Sequence, residues 1–514
     1  MLASCSKEPV RPQWDVDLVV PLATASLSIR DLIADTLLST GADGLVSLSY
    51  SSRLFELRLD TVLTAPDTSF LYTYVLPIPG PISFPAGATF NTSNDVTRFD
   101  LDGLELRTLR IRSGELSVEL KSMVNGAITG SFNLPGASLN GVPFAIDQHL
   151  PPGTPAVPAV VRSTQALDGY LLDMRGPQFN AVNTLSTGLS YRNAGNSAVS
   201  VTDRDSLIAV VSYADIVPDY AAGYFGTRHV DVAPSSTTLD LFHDISGVLD
   251  LDQVTARLNV TNGIGVDARA QLRYLRSVNS RTGNTVDLTH AITSSPINLD
   301  RALDLGGSFL AAHNTFTLTE RNSNIDAFIE NLPDRIDYAL DVTIDPLGDV
   351  SNGHDFLYHE STLSGDLELD IPLRIAATGL TLRKEVAVTL PGNRDRSSIR
   401  GALLHLFAVN GFPFSAAITL DIIDADGVAV STLPVNGTVA SGTLGADGLV
   451  QQPASSALSI TLTGEQADRL NAGDRLRITA TFNTASQPDY VRILDRYALD
   501  MQVTAAGNYI VNGE

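Results

Sequence analysis

The densest group of side chains that could do chemistry lies between His354 and Glu360. The pair His359-Glu360 begins like the zinc-protease motif, but that motif needs a second histidine at position 363, which is leucine. His354 and His359 are five residues apart, so on a strand they would point to opposite faces. The segment therefore favours a solvated loop and strand edge over a metal site.

Two acidic turns have the oxygen-rich character of a calcium loop. Residues 421–427 lack the third spaced oxygen ligand and the bidentate glutamate of such a loop, which favours a hairpin turn on Asp426-Gly427. The segment from Asp345 to Asp355, with Asp349 and Asn352, is the better calcium candidate. We predict no metal site and no cofactor, and leave a weak calcium site at this second segment open.

Familiar catalytic patterns are absent from the sequence. It contains no Gly-x-Ser-x-Gly nucleophile turn, no phosphate-binding Gly-x₄-Gly-Lys loop and no Gly-x-Gly-x-x-Gly. Paired carboxylates for glycoside hydrolysis need only meet in space, so a hydrolase site assembled across loops stays open. The single tryptophan, however, offers little surface for sugar stacking. We therefore predict that the protein is not an enzyme.

The most suggestive binding segment covers residues 217–226. Tyr220, Tyr224 and Phe225 stand there among glycine and proline without a strand period. Binding residues concentrate on loops, and aromatic side chains carry much interface energy. We predict that these three residues contact a partner; the alternative is a loop folded back on its own sheet.

Charge narrows the class of partner. Lys and Arg number 34 against 57 Asp and Glu, which gives a net charge of −23. Nucleic acid and anionic lipid surfaces both require a basic face, so neither is expected as an electrostatic partner. No apolar run reaches the roughly 18–20 residues that span a bilayer as a helix.

Period-two alternation dominates the chain. In one ladder Leu367, Leu369 and Ile371 alternate with Glu368 and Asp370. Such ladders, separated by Asn-Gly and Asp-Gly turns, indicate half-buried antiparallel strands. We predict an all-β fold of serial antiparallel sandwich modules in an elongated row. The boundaries follow the proline-rich segment 150–158 and a second break near 346–353: a tether over 1–13, then modules over 14–150, 160–345 and 354–514, the second long enough for two sub-modules.

Three segments also share a strand, an Asn-Gly pair and a second strand. Their asparagines are Asn125, Asn262 and Asn410, which we take as the common turn of diverged internal repeats. This pattern resembles the sandwich of late-embryogenesis-abundant type-2 domains.

Cys5, the only cysteine, follows Leu2-Ala3-Ser4 and precedes a polar segment. This resembles a bacterial lipobox, which implies acylation of Cys5 and a lipid anchor, with an incidental cysteine as the alternative. Only four residues precede it, so we expect a misplaced or trimmed start.

With the strand at Trp14 and the β-modules, the chain resembles uncharacterised multi-domain lipoproteins of the Bacteroidota. That resemblance implies the outer membrane or cell surface, on either face. The predicted function is a non-enzymatic, lipid-anchored scaffold or accessory protein that binds a protein partner and the bilayer. An adhesin or glycan-binding surface lipoprotein is the first alternative, and the hydrolase is the second.

Overall fold

The computed structural model describes residues 13–31, 33, 35–58, 66–75, 80–242, 245–388, 397–472, 474–484 and 490–512. Cys5 lies outside them. The fold is all-β, as predicted, with 63% strand and 6% helix, and every pairing between its strands is antiparallel. Among these residues no helix is long and apolar enough to cross a membrane.

The strands follow the predicted ladders closely. The first half of the chain contains β1 (Gln13–Ser28), β2 (Leu38–Thr40), β3 (Val46–Arg58), β4 (Thr68–Val75), β5 (Ile82–Phe84), β6 (Thr89–Arg98), β7 (Glu105–Ser122), β8 (Ile128–Leu139), β9 (Val142–Leu150), β10 (Ala159–Ala166), β11 (Leu171–Asp173), β12 (Thr184–Asn193), β13 (Val199–Val201), β14 (Ser206–Tyr224), β15 (Arg228–Thr238), β16 (Val248–Leu251) and β17 (Thr255–Asn262).

The second half contains β18 (Ala268–Asn279), β19 (Asn284–Asp287), β20 (Ile297–Leu299), β21 (Leu303–Asp304), β22 (Phe309–Leu310), β23 (Ala312–Thr319), β24 (Arg335–Ile344), β25 (Asp355–Tyr358), β26 (Thr362–Pro372), β27 (Arg374–Ala387), β28 (Ser397–Asn410), β29 (Ser415–Ile423), β30 (Ala429–Leu433), β31 (Thr443–Leu444), β32 (Val450–Gln452), β33 (Ala454–Thr463), β34 (Arg475–Asn483), β35 (Val491–Arg492) and β36 (Ala498–Asn512). The helices are α1 (Ala291–Ser294), α2 (Ile325–Glu330) and α3 (Gly464–Ala472).

One strand order occurs three times. Unit 1 has the layers β4-β14-β7-β10 and β6-β12-β8-β9, which β11 joins at one edge; unit 2 has the sheets β3-β26-β17-β23 and β15-β24-β18-β19; unit 3 has β1-β36-β28-β33 and β27-β34-β29-β30. The two sheets of a unit face each other across a core. In unit 1, for example, Leu120 of the first sheet lies against Gly130 and Tyr191 of the second. Each unit is thus an eight-stranded sandwich.

The units are nested in the chain, which corrects the predicted boundaries. Unit 1 (68–224) lies between the first and second strands of unit 2, which comprises 46–58 and 228–372. Unit 2 in turn lies between the first and second strands of unit 3, which comprises 13–28 and 374–512. Modules over 14–150, 160–345 and 354–514 therefore do not coincide with the sheets, because alternation locates strands without revealing which strands pair.

The proline-rich segment 150–158 is also not a linker between domains. It connects β9 to β10, which belong to opposite sheets of unit 1. The Gly153 N–H donates to the Val124 oxygen at 2.9 Å, and a side chain on Gly153 would collide with the Ser122 carbonyl. The segment is therefore packed against its own unit.

The central strand of each first sheet ends on a buried polar residue. These residues are Ser122, Asn262 and Asn410, and each side-chain oxygen accepts from the N–H two residues on, at 3.2, 3.0 and 2.9 Å. Asn125, proposed as a common turn, is exposed and lies three residues beyond Ser122. In all three units the terminal residue pairs with an alanine on one side and a leucine on the other: Ala159 and Leu207, Ala312 and Leu363, Ala454 and Leu499.

Candidate functional site

The predicted aromatic loop at 217–226 is mostly strand. β14 runs through Tyr220 to Tyr224, and the short strand β25 of unit 2 pairs with it, Tyr220 opposite Tyr358. Phe225 is 0% exposed and Tyr224 is half-buried. The prediction that Phe225 contacts a partner is therefore wrong: its side chain is packed in the core directly after β14 ends.

Tyr220 belongs to a junction between units 1 and 2. Its hydroxyl donates to Asp304 Oδ2 at 2.7 Å, while the Tyr358 hydroxyl donates to Asp304 Oδ1 at 2.8 Å. The Arg110 guanidinium lies 5.6 Å from the Tyr220 ring centre and donates to Asp219 at 2.6 Å. The Tyr220 hydroxyl is thus engaged within the chain while its side chain is half-buried, and its contact with an external partner stays a prediction, as does that of Tyr224.

The charge at this junction is stable at neutral pH. Burial raises the pKa of Asp304, but hydrogen bonds from Gly306, Tyr220 and Tyr358 outweigh it, and the net shift is downward. Burial, followed by the hydrogen bond to Asp304, raises the pKa of Tyr358 to about 12. The ionised carboxylate and its two tyrosines therefore act as a fixed connection between the units.

The histidine segment contains a loop and the start of a strand. His354 is exposed, with Nδ1 3.0 Å from the Ser351 oxygen, and β25 begins at Asp355. The His359 N–H donates to the Asp219 oxygen at 2.8 Å. Within the described ranges no three His, Cys, Asp or Glu side chains are grouped as ligands for a metal ion.

A groove of about 700 Å³ on unit 1 was not anticipated from the sequence. It lies across the outer face of β6, β8 and β12 and is bounded by β11 and the turn at 176–179. Phe179 stands at its rim, 64% exposed, with a φ of +57°. A bulky residue with positive φ is strained, and such strain is found preferentially at binding and active sites.

The surroundings of Phe179 combine apolar surface with fixed charge. Val96 and Leu171, which also line the groove, are exposed. Arg175 donates to both oxygens of Asp173, at 2.9 and 2.7 Å, and its guanidinium carbon lies 5.1 Å from the Phe179 ring centre. The Arg175 hydrogen bonds lower the pKa of Asp173 despite its partial burial. Asp173 therefore stays ionised, which does not suit a general acid.

An apolar cavity lies nearby in the core of unit 1. Phe99, Leu106, Met174, Tyr213 and Pro218 are among its lining residues, and its volume is about 40 Å³. A cavity that holds benzene needs roughly 150 Å³. This space is too small for an organic ligand. Two other open grooves, of about 410 Å³ beside Phe407 and about 540 Å³ beside Tyr50, are lined by no described residue with a positive φ. The strained, exposed Phe179 therefore makes its groove the candidate site.

Comparisons with known proteins add little to this site. No protein-family model and no curated protein matches the chain. It is similar to the crystal structure of a "putative secreted protein" from Parabacteroides distasonis, at 13% identity and a TM-score of 0.29, over 54% of this chain and 83% of that one. It is also similar to the atomic structure of Sulfolobus turreted icosahedral virus, at 8% identity and a TM-score of 0.11, over 88% and 91%. At such TM-scores neither likeness bears on function.

Proposed function

We propose that the protein is a non-enzymatic, lipid-anchored accessory protein of the bacterial outer membrane or cell surface, and that it binds a protein partner at the Phe179 groove. The observation that supports binding at the groove is the conformation of Phe179. Its large aromatic side chain is exposed, and its positive φ costs energy. Exposed aromatic residues beside apolar surface are the usual anchors of protein interfaces. Val96, 59% exposed, supplies that surface.

The order of the units along the chain places the groove far from the proposed anchor in sequence. Eight peptide steps separate Cys5 from Gln13, the first residue of β1, so an acylated Cys5 would lie at most about 28 Å from unit 3. The chain then passes from unit 3 to unit 2 and from unit 2 to unit 1. Unit 1, which carries the groove, is therefore the last of the three along the chain from the anchor.

The groove can be tested with a photocrosslinker in native membranes. p-Benzoylphenylalanine at position 179 should yield one crosslinked partner, identified by mass spectrometry. The same residue at position 407, where an exposed phenylalanine lies on β28 of unit 3, is the matched control. Equal crosslinking from the two positions, or none from position 179, would refute the groove as the interface.

The anchor requires a separate test. The full-length protein should incorporate a palmitate analogue in bacterial cells, and Cys5→Ser should abolish the label and release the protein from membranes. An unlabelled precursor, or equal labelling of the variant, would remove the lipid-anchored part of the proposal without affecting the groove.

A glycan ligand is the second candidate for the same groove. Asn94, Asp95 and Ser186 line it beside Phe179, and polar groups next to an aromatic ring are suited to a sugar. Binding on a carbohydrate array that Phe179→Ala abolishes and Phe407→Ala preserves would favour an adhesin over a protein-binding accessory protein. The hydrolase alternative would require a proton donor in the groove, for which the ionised Asp173 is unsuited.

A further inference from the structure

Two acidic side chains are buried where unit 1 joins unit 2. Asp345 follows β24, and Asp355 begins β25, which pairs with β14 of unit 1. Each is 1% exposed, and no hydrogen bond of good geometry reaches either carboxylate. The Phe225 N–H lies close enough to Asp345, and the Ser351 side chain to Asp355, to offset part of the effect of burial on their pKa values. Buried polar groups are normally paired, because an unpaired buried charge is costly. Asp345 in particular therefore needs a partner of opposite charge.

The charges around them do not balance. Asp267 is half-buried, and its carbonyl accepts from the Asp345 N–H at 2.8 Å. Arg301 Nη2 lies 3.0 Å from Asp355 Oδ1, but its hydrogen bonds go to the carbonyl oxygens of Gly265 and His354. Three carboxylates thus share one guanidinium, and Asp345 has no cation of its own among the described contacts.

The electrostatics agree with this geometry. Burial, followed by the negative charges of Asp355 and Asp267, raises the pKa of Asp345 to about 7. Burial also raises the pKa of Asp355. A cation held between the carboxylates would reverse both shifts, since an opposite charge stabilises the ionised form.

We propose that Asp345 and Asp355, with Asp267 as a third carboxylate, bind a calcium ion at the corner between units 1 and 2. The donors are all oxygens, which excludes the usual zinc ligands, and calcium accepts irregular sets completed by main-chain oxygens and water. Magnesium demands a stricter octahedron. Because no three acidic side chains among the described residues are already placed to hold one ion, binding would require at least one of the three carboxylates to move.

The ligands differ from those that the segment 345–355 suggested. Asp349 is exposed, and its Oδ1 already accepts from the Gly353 N–H at 2.6 Å. Asn352 is also exposed. The ends of the segment, rather than its interior, carry the buried carboxylates.

The position of the site indicates what the ion would do. Residues 225–227 are the short link from β14 of unit 1 to β15 of unit 2. In this link the Thr227 hydroxyl donates to the Asp345 carbonyl at 2.8 Å. An ion at Asp345 would therefore hold the link against the ends of β24 and β25, and so restrict movement between the two units.

Titration of the full chain with CaCl₂ tests the site after removal of metal with EDTA. Calorimetry at pH 7.5 should show one site above the weak background expected from a net charge of −23. Asp345→Asn and Asp355→Asn should each weaken that site at least tenfold, and MgCl₂ should compete poorly. Asp424→Asn, in the hairpin turn of residues 421–427, is the matched control and should bind calcium like the parent.

Heating provides the second measurement. Calcium should raise the melting temperature of the parent and of Asp424→Asn, but not of the other two variants. In EDTA Asp345→Asn should melt at or above the parent temperature, because it removes a buried charge that has no cation of its own. Asp355→Asn also removes the carboxylate that faces Arg301 and should melt below the parent. A cooperative transition in each case shows that both variants fold. If the parent shows no saturable site, or if Asp345→Asn and Asp355→Asn bind calcium as the parent does, the proposal is wrong. Neither measurement depends on the Phe179 groove.

Discussion

Replacing Asn410 with alanine should destabilise unit 3 strongly. The residue is 0% exposed and ends the central strand β28. Its Nδ2 donates to the carbonyl oxygens of Phe414 and Ala440, both at 2.8 Å, and its Oδ1 accepts from the Phe412 N–H at 2.9 Å. Alanine removes all three bonds and leaves three main-chain groups without their partner.

The loss of stability can be calculated from the three hydrogen bonds of Asn410. A hydrogen bond contributes about 1 kcal/mol net, and an unsatisfied buried group costs about 1–3 kcal/mol. We expect the free energy of unfolding of unit 3 to fall by about 3 kcal/mol. Urea unfolding followed by tryptophan fluorescence measures this, since Trp14, the only tryptophan, lies in β1 of unit 3.

Two exposed asparagines provide the controls. Asn436 precedes Gly437 in a turn of the same unit, and Asn125 is the residue that the sequence pattern selected in unit 1. Alanine at either position should change stability by less than about 0.5 kcal/mol, as at most surface sites. A loss below about 1 kcal/mol for Asn410→Ala, or an equal loss for Asn436→Ala, would refute the structural role of the buried amide.

Two further predictions concern the junction between units 2 and 3. Burial, more than the nearby acids, raises the pKa of Glu330, whose Oε1 accepts from the Leu251 N–H at 2.8 Å. The protonated Glu330 therefore contributes its full stabilisation below pH 4.5, its ordinary pKa, and this stabilisation is lost as the pH rises through the raised pKa. Glu330→Gln should flatten this part of the pH dependence of the free energy of unfolding, measured in urea. A profile identical to that of the parent would contradict the prediction. Gly247 has a φ of +111°, and a Cβ there would lie 2.5 Å from the Gly379 oxygen, so Gly247→Ala should cost about 2 kcal/mol by the same assay. Gly307→Ala, whose Cβ would meet open space, should cost less than about 0.5 kcal/mol, and equal losses would exclude the close approach as the cause.

The local structure could be read from the sequence because it depends on local forces. Alternation at Leu367, Leu369 and Ile371 predicts a strand with one buried face, and all three side chains are buried in β26. The Asn140-Gly141 pair predicts a tight hairpin, and both residues have positive φ between β8 and β9. Which strands pair with one another does not depend on local sequence, since β3 pairs with β26 more than 300 positions later.

At the candidate sites, too, the sequence predicts local features but not how distant segments pack together. Tyr220 looked like a loop residue because Pro218 and Gly223 interrupt the period, yet the irregularity is a shift in strand register within β14. Phe179 gave a signal that was overlooked: a single aromatic residue in the turn Gly176-Pro177-Gln178-Phe179-Asn180, outside any ladder. Whether such a residue packs inward or stands exposed depends on the backbone conformation, which composition does not determine.

The nested topology limits how far the three units can move relative to one another. Serial modules on single linkers move relative to one another by default. Here the chain enters unit 1 from unit 2 after β3 and returns through residues 225–227, so two covalent connections cross that junction. The junction between units 2 and 3 is likewise crossed before β3 and again at Leu373, between β26 and β27. Two crossings remove the free rotation that one linker allows, and the Asp304 connection and the proposed calcium site restrict the first junction further. The orientation of the Phe179 groove relative to unit 3, next to the predicted anchor, is thereby constrained, which suits a protein that presents one binding surface in a fixed direction.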